Sequence, residues 1–136
     1  MRTFLDTNVF LNAVGRAHPE QEVCARILER VAAGSLEAVV NTETVQEILY
    51  VLTRRGRRKD GLELAWQIEV ILPDMLPVTR EDMSGALDLL ERHPRLSVRD
   101  AVRAATILRN GLHTVVSVDP DFDQVPGIRR VAPGSA

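Results

Sequence analysis

The chain has 136 residues, 45% of them hydrophobic, 26% charged and only 4% aromatic, with a formal net charge of −2. Such a composition describes an ordinary globular protein whose core is filled by Ala, Leu, Val and Ile, and it excludes a disordered chain. The charge also excludes a general nucleic-acid binder working through a large basic surface, so any such contact has to be local or helped by cations. The length fits a single domain over residues 1–136, which buries roughly two-thirds of the surface of its unfolded chain. One cysteine, Cys24, excludes an internal disulfide and fits a reducing cytosol; it lies in an apolar-periodic stretch and reads as core packing. No signal peptide is visible at the N-terminus, and no apolar run reaches the ~18 residues of a membrane span, so a cytoplasmic protein without membrane contact is expected.

In chain order, residues 3–6 (T-F-L-D) read as a first strand, and residues 9–14 as the start of a helix or loop that Gly15 and Pro19 interrupt. Val23, Ile27, Leu28 and Val31 have helical spacing over 20–33, with Gly34 as the stop. Residues 36–40 (L-E-A-V-V) form a second strand. Val45, Ile48, Leu49 and Leu52 predict a helix over 42–55. Leu62, Ala65, Trp66, Ile68 and Leu72 predict another over 61–72, ending at Pro73. Residues 75–79 (M-L-P-V-T) read as a short edge strand because of Pro77. Met83, Ala86, Leu87 and Leu90 predict a helix over 80–92, and Ala101, Ala104, Ala105 and Leu108 one over 97–110, stopped by Gly111. The β-branched run T-V-V-S-V at 114–118 is the clearest strand, and 128–131 adds a last short one. Continuous apolar strands alternating with helices predict an α/β fold with a parallel sheet of four to five strands between helices.

In such a sheet the site lies at the carboxyl ends of the strands, where Asp6 and Asp119 fall. Each acid has a structural explanation. Asp6 can cap a turn, Thr44-x-x-Glu47 and Ser97-x-x-Asp100 have capping-box spacing, and Asp119-Pro120 is a turn-initiating pair. Together, Asp6, Glu47, Asp100 and Asp119 converge on one edge of the sheet. Four clustered carboxylates repel one another by several kcal/mol unless cations intervene. Oxygen donors without a Cys/His cluster select hard ions such as Mg²⁺ or Mn²⁺, whose open coordination positions suit phosphodiester hydrolysis. Thr7, Asn8 and Ser117 are short polar side chains beside the acids, placed to orient a carboxylate or a metal-bound water. His18, His93 and His113 are scattered and read as solvated or capping residues.

The order L-D-T-N, T-V-Q-E-I-L, S-V-R-D-A-V-R-A-A-T and V-V-S-V-D-P-D-F-D-Q-V-P-G-I resembles the PIN domains, and more narrowly the VapC toxins of toxin–antitoxin pairs, over nearly the whole chain. The resemblance implies a metal-dependent endoribonuclease with Asp6, Glu47, Asp100 and Asp119 as its acids. Asp6, Asp100 and Asp119 would hold Mg²⁺ or Mn²⁺, supported by Thr7, Asn8 and Ser117. Asp121 falls in the D-x-D-F pattern as an outer ligand or a turn residue, and Asp123 reads as a solvated charge. Arg103, one turn after Asp100, stands where the family varies. The resemblance further implies an RNA substrate, a small antitoxin seated against the helices after residue 20 and around 42–72, and a homodimer. The run R-R-G-R-R-K at 54–59 either guides RNA electrostatically or is a solvated helix junction. The alternative is a PIN-like module that binds protein or RNA without cutting. A phosphoacceptor with Asp6 as nucleophile fits poorly: Asn8 is no acid, and Lys59 is the only lysine.

Overall fold

A computed structural model describes residues 2–15 and 19–136; His18 lies outside them. Four short strands, β1 (Thr3–Leu5), β2 (Ala38–Val39), β3 (Thr114–Val116) and β4 (Arg129–Val131), form one sheet in the order β2-β1-β3-β4. All three pairings are parallel. Six helices surround it: α1 (Thr7–Val14), α2 (Gln21–Ala32), α3 (Thr42–Arg54), α4 (Arg58–Ile71), α5 (Arg80–Arg92) and α6 (Val98–Arg109). The α/β architecture expected from the alternation of strands and helices is therefore present.

The residues of β1 divide between the two faces as the strand pleat requires. Phe4 joins Val39, Ile107, Leu112, Val115 and Phe122 on one side. Leu5 joins Val9, Phe10, Ile27, Ile48, Leu52 and Ile68 on the other. Cys24 is wholly buried in this second cluster, and burial pushes its thiol up to about 11, so it is an inert packing group. The joint between α3 and α4 turns through Gly56, whose φ of +73° favours glycine.

Three expectations about elements need correction. Residues 75–79 are not a strand: Leu76 forms a single parallel bridge with Asn41, and Pro77, lacking an N–H, offers no donor to extend it. The α4 helix begins at Arg58, so Arg58 and Lys59 of the basic run lie in its first turn. Its buried face is Gly61, Leu64 and Ile68, whereas Leu62 and Trp66, expected inside, are exposed along with Val70. Likewise α5 buries Ala86 and Leu89 and exposes Met83 and Leu87. Apolar spacing alone does not say which of two apolar stripes meets the sheet.

α6 differs from the other helices. Every residue from Asp100 to Ile107 is buried, including Asp100, Arg103 and Thr106. Polar groups at 100, 103, 106 and 109 form a stripe three residues apart, and the three buried ones, Asp100, Arg103 and Thr106, must find their partners inside the protein.

Candidate active site

The sheet order sets the site. β1 and β3 are neighbours, and their connections leave toward opposite edges, which opens a crevice beyond their carboxyl ends. The Asp6 N–H donates to Val116 O at 3.0 Å, so Asp6 sits level with the end of β3. Its carboxylate caps α1, with Oδ1 accepting the Thr7 N–H at 2.8 Å. Oδ2 accepts the Ser117 hydroxyl at 2.6 Å and the Asn8 side-chain amide at 3.0 Å. The Ser117 Oγ in turn accepts the Asp119 N–H at 2.9 Å and the Asn8 amide at 3.2 Å. Thr7, Asn8 and Ser117 thus form a scaffold around Asp6 and tie it to the chain leading into Asp119.

Asp119 caps a 3-10 turn over Pro120–Gln124, accepting the Asp121 N–H at 2.9 Å. The turn brings Asp121 back beside Asp119. Across the crevice, Ser97 caps α6 and accepts the Asp100 N–H at 3.1 Å, which holds Asp100 in the first helical turn. Carboxylate oxygens of Asp100, Asp119 and Asp121 lie within 4.8 Å of one another. Asp100 and Asp119 border a cleft of about 210 Å³ that is also lined by Asp6, Thr7, Asn8, Glu47, Ser97 and Arg103.

Glu47 reaches the site by a route the sequence misassigned. The cap of α3 is Asn41, whose Oδ1 accepts the Thr44 N–H at 2.9 Å. Thr44 and Glu47 are therefore not a capping box. Glu47 lies in the second turn of α3 and extends toward Arg99, at 2.8 Å, and Arg103. Asp123 is exposed, as expected of a solvated charge, and pairs at the surface with Arg130 at 3.1 Å.

Arg103 is the group sequence reasoning underweighted. It is only 3% exposed. Its guanidinium lies 3.3 Å from Asp6, 3.3 Å from Asp100 and 3.1 Å from Glu43, and pairs with Glu47 as well. It also donates to Thr7 Oγ1 at 2.9 Å. The signal in the sequence was the polar stripe 100-103-106-109 through an alanine-rich helix. One cation shared among four carboxylates leaves the centre strongly negative. Asp100 registers this: burial, then a shared hydrogen bond and the charge of Asp119, then the charge of Asp6, push its carboxyl up to about 8, against a lesser opposing pull from Ser97. Three converging carboxylates, one unable to ionise readily in their company, fit a divalent ion with oxygen ligands.

A parallel sheet in this strand order, with acids from both of its central strands in one crevice, is the architecture of a nuclease-like α/β domain. The PIN domain family matches residues 3–128, and the chain belongs to it. Within that family it groups with the VapC ribonucleases. It is 32% identical to ribonuclease VapC13 of Mycobacterium tuberculosis over 129 residues, covering 94% of this chain and 98% of that one. It is 31% identical to ribonuclease VapC7 of the same species, covering 97% and 92%. Among solved structures, Mycobacterium tuberculosis VapC20, described as a sarcin-ricin loop cleaving toxin, superposes with a TM-score of 0.75 at 18% identity, covering 89% of this chain and 92% of that one. The VapBC2 complex from Rickettsia felis, solved on a fragment of its promoter DNA, gives 0.75 at 16% identity, covering 97% and 98%.

Proposed function

We propose that this chain is a metal-dependent endoribonuclease, the toxin of a VapBC-type toxin–antitoxin pair, and that residues 1–136 act as one PIN domain. The observation that carries the reading is the convergence of Asp100, Asp119 and Asp121 beside Asp6 in the β1/β3 crevice. These three carboxylates would hold Mg²⁺ or Mn²⁺, which when bound supplies Lewis-acid polarisation of a phosphate and a water of lowered pKa. Asp6 was expected as a direct ligand. Its carboxylate accepts from Thr7, Asn8 and Ser117 and lies 3.3 Å from Arg103, so besides lining the cleft it anchors the scaffold and adds negative charge beside the ion.

The chain's own residues then have distinct tasks. Asp100, once ionised, faces the cleft from the α6 side and Asp119 from the β3 side, with an oxygen of Asp121 within 4.8 Å of both. Ser117 fixes the backbone of Asp119 and so the angle of its carboxylate. Glu47, held by Arg99 and Arg103, borders the cleft where an attacking water would give up its proton. An adjoining cleft of about 370 Å³ shares Glu47 and is walled by Tyr50, Val98 and Val102, giving a strand of RNA a path away from the acids.

For the antitoxin, the exposed stripe Leu62, Trp66 and Val70 on α4 supports a helical partner with an apolar face. A homodimer and a cytoplasmic location follow from the family reading. Among the described residues no helix is long and apolar enough to cross a membrane. The test is cleavage of a structured RNA in Mn²⁺ by wild type and Asp100→Asn, with and without EDTA. Cutting that is abolished by EDTA and by the substitution supports the reading. RNA binding without cutting under any metal condition overturns it in favour of a non-catalytic module.

A further inference from the structure

The acidic centre has two halves. On one side Asp100, Asp119 and Asp121 bring their oxygens together. On the other, Asp6, Glu43 and Glu47 surround the Arg103 guanidinium, which also touches the edge of Asp100. Nucleases that use two ions set them ~3.5–4 Å apart, bridged or flanked by separate carboxylates. In this centre, the carboxylates that could flank a second ion are those that Arg103 already neutralises.

Three features keep the guanidinium there. Arg103 is buried in the middle of α6 between Ala101 and Ala104, both themselves wholly buried. It is tied to α1 through Thr7 and to α3 through Glu43 and Glu47, so withdrawal would leave Thr7 without this donor and two carboxylates of α3 without their cation. Its bonds are also spread over several partners rather than paired as a fork with one: Nη1 donates to Asp100 at 3.3 Å, and Nη2 to Thr7 and Glu47. Arg103 Nε has no hydrogen-bond acceptor, and Glu43 Oε2, 3.1 Å from the guanidinium, receives no aligned hydrogen bond among the described residues. A structural Arg–carboxylate pair is normally bidentate. Here one cation is centred among several anions, as a metal ion would be.

We propose that the Arg103 guanidinium takes the position of a second cation in the acidic centre, so that the chain binds one divalent ion, at Asp100, Asp119 and Asp121. The inference rests on the metal-dependent reading above and adds the stoichiometry of the site and the residue that sets it. Arg103 is a positioning residue: it holds Glu47 and Asp6 in place and limits the ion count.

The experiment is Mn²⁺ titration of the full chain followed by electron paramagnetic resonance, which counts bound ions and detects magnetic coupling between neighbours. Wild type binds one Mn²⁺ with an uncoupled spectrum. Arg103→Met binds two, with a broadened, coupled signal, and Arg103→Met combined with Glu47→Gln returns to one. Arg103→Lys, which keeps the positive charge, stays at one. Two equivalents bound by wild type overturn the inference, as does a folded Arg103→Met that binds only one. If Arg103→Met does not fold, the wild-type and Arg103→Lys counts decide: one ion each upholds the inference and two in either overturns it. No Mn²⁺ bound by wild type overturns the metal-dependent reading itself, a different outcome from a count of two.

Discussion

α6 carries two arginine–carboxylate centres two turns apart, and they behave in opposite ways. At the C-terminal end, Arg109 pairs with Asp82, whose side chain is fully buried. Asp82 also closes a capping box with Thr79, accepts a long hydrogen bond from Thr106 and bonds nothing of like charge. Burial alone would raise its pKa, but the Arg109 and Thr79 hydrogen bonds outweigh that and hold the carboxyl below its usual range. At the N-terminal end, Arg103 is shared by four carboxylates, and Asp100 is pushed up instead. The ingredients are the same and the ratio of charges differs. A matched pair is architecture; an excess of buried acid over base marks a place that waits for a cation.

That contrast can be broken by substitution. Asp100→Asn should lower RNA cleavage in Mn²⁺ by more than about 100-fold, the upper limit usual for a merely supporting residue, while metal-free melting holds or rises. Unchanged cleavage would remove Asp100 from the chemistry. Arg109→Met should do the reverse, leaving Mn²⁺ affinity intact but destabilising the fold. The loss is read as a lower urea midpoint, and it is smaller than for a wholly buried pair because the Arg109 side chain is 37% exposed.

Titration separates the two centres further. Asp100 binds a proton in the folded state over a range, from about 4 up to about 8, where the unfolded chain does not. Metal-free stability must therefore fall as pH rises through that window, by at most about 1.4 kcal/mol per pH unit, and Asp100→Asn should flatten the slope. Asp82 has the opposite sign. Its contribution is present above about pH 4 and is lost as pH falls through its lowered folded value, so Arg109→Met should begin acid unfolding at higher pH than wild type. Ser117→Ala should weaken Mn²⁺ binding about tenfold, because Asp119 and Asp6 lose a shared hydroxyl. The smallest effect concerns the basic run. Arg57 is engaged with Asp60 and with Val14 O, so the informative change is Arg55, Arg58 and Lys59 to Ala, which should reduce the salt dependence of RNA binding by a slope of up to about 2. An unchanged slope makes the run a helix junction.

The strand ends were legible because apolar runs give way to acids at Asp6 and Asp119, and a parallel sheet sends such ends to one edge; the third strand was read two residues too long, since β3 ends at Val116. The helix starts were partly legible. Ser97 was read correctly as the cap three residues before Asp100, but Thr44 looked like a cap only because Asn41, the actual one, lies just outside the apolar pattern. The orientation of α4 was not legible, since Leu62, Trp66 and Val70 form as regular a stripe as Leu64 and Ile68. Arg103 was the least legible. Its role depends on Thr7, Glu43 and Glu47 arriving from helices about 60 and 96 residues earlier in the chain, which no local window contains.

The sheet order has a consequence for synthesis. β1 and β2 can pair as soon as the first third of the polypeptide has emerged, yet β3 must slot in beside β1 much later, bringing Asp119 and Asp121 with it. Until then Asp6 lacks Ser117 and the crevice lacks one wall. A nascent chain whose β3 is still inside the ribosome therefore has no assembled cutting centre, and an enzyme that destroys RNA cannot act on the machine and message producing it before that strand has emerged.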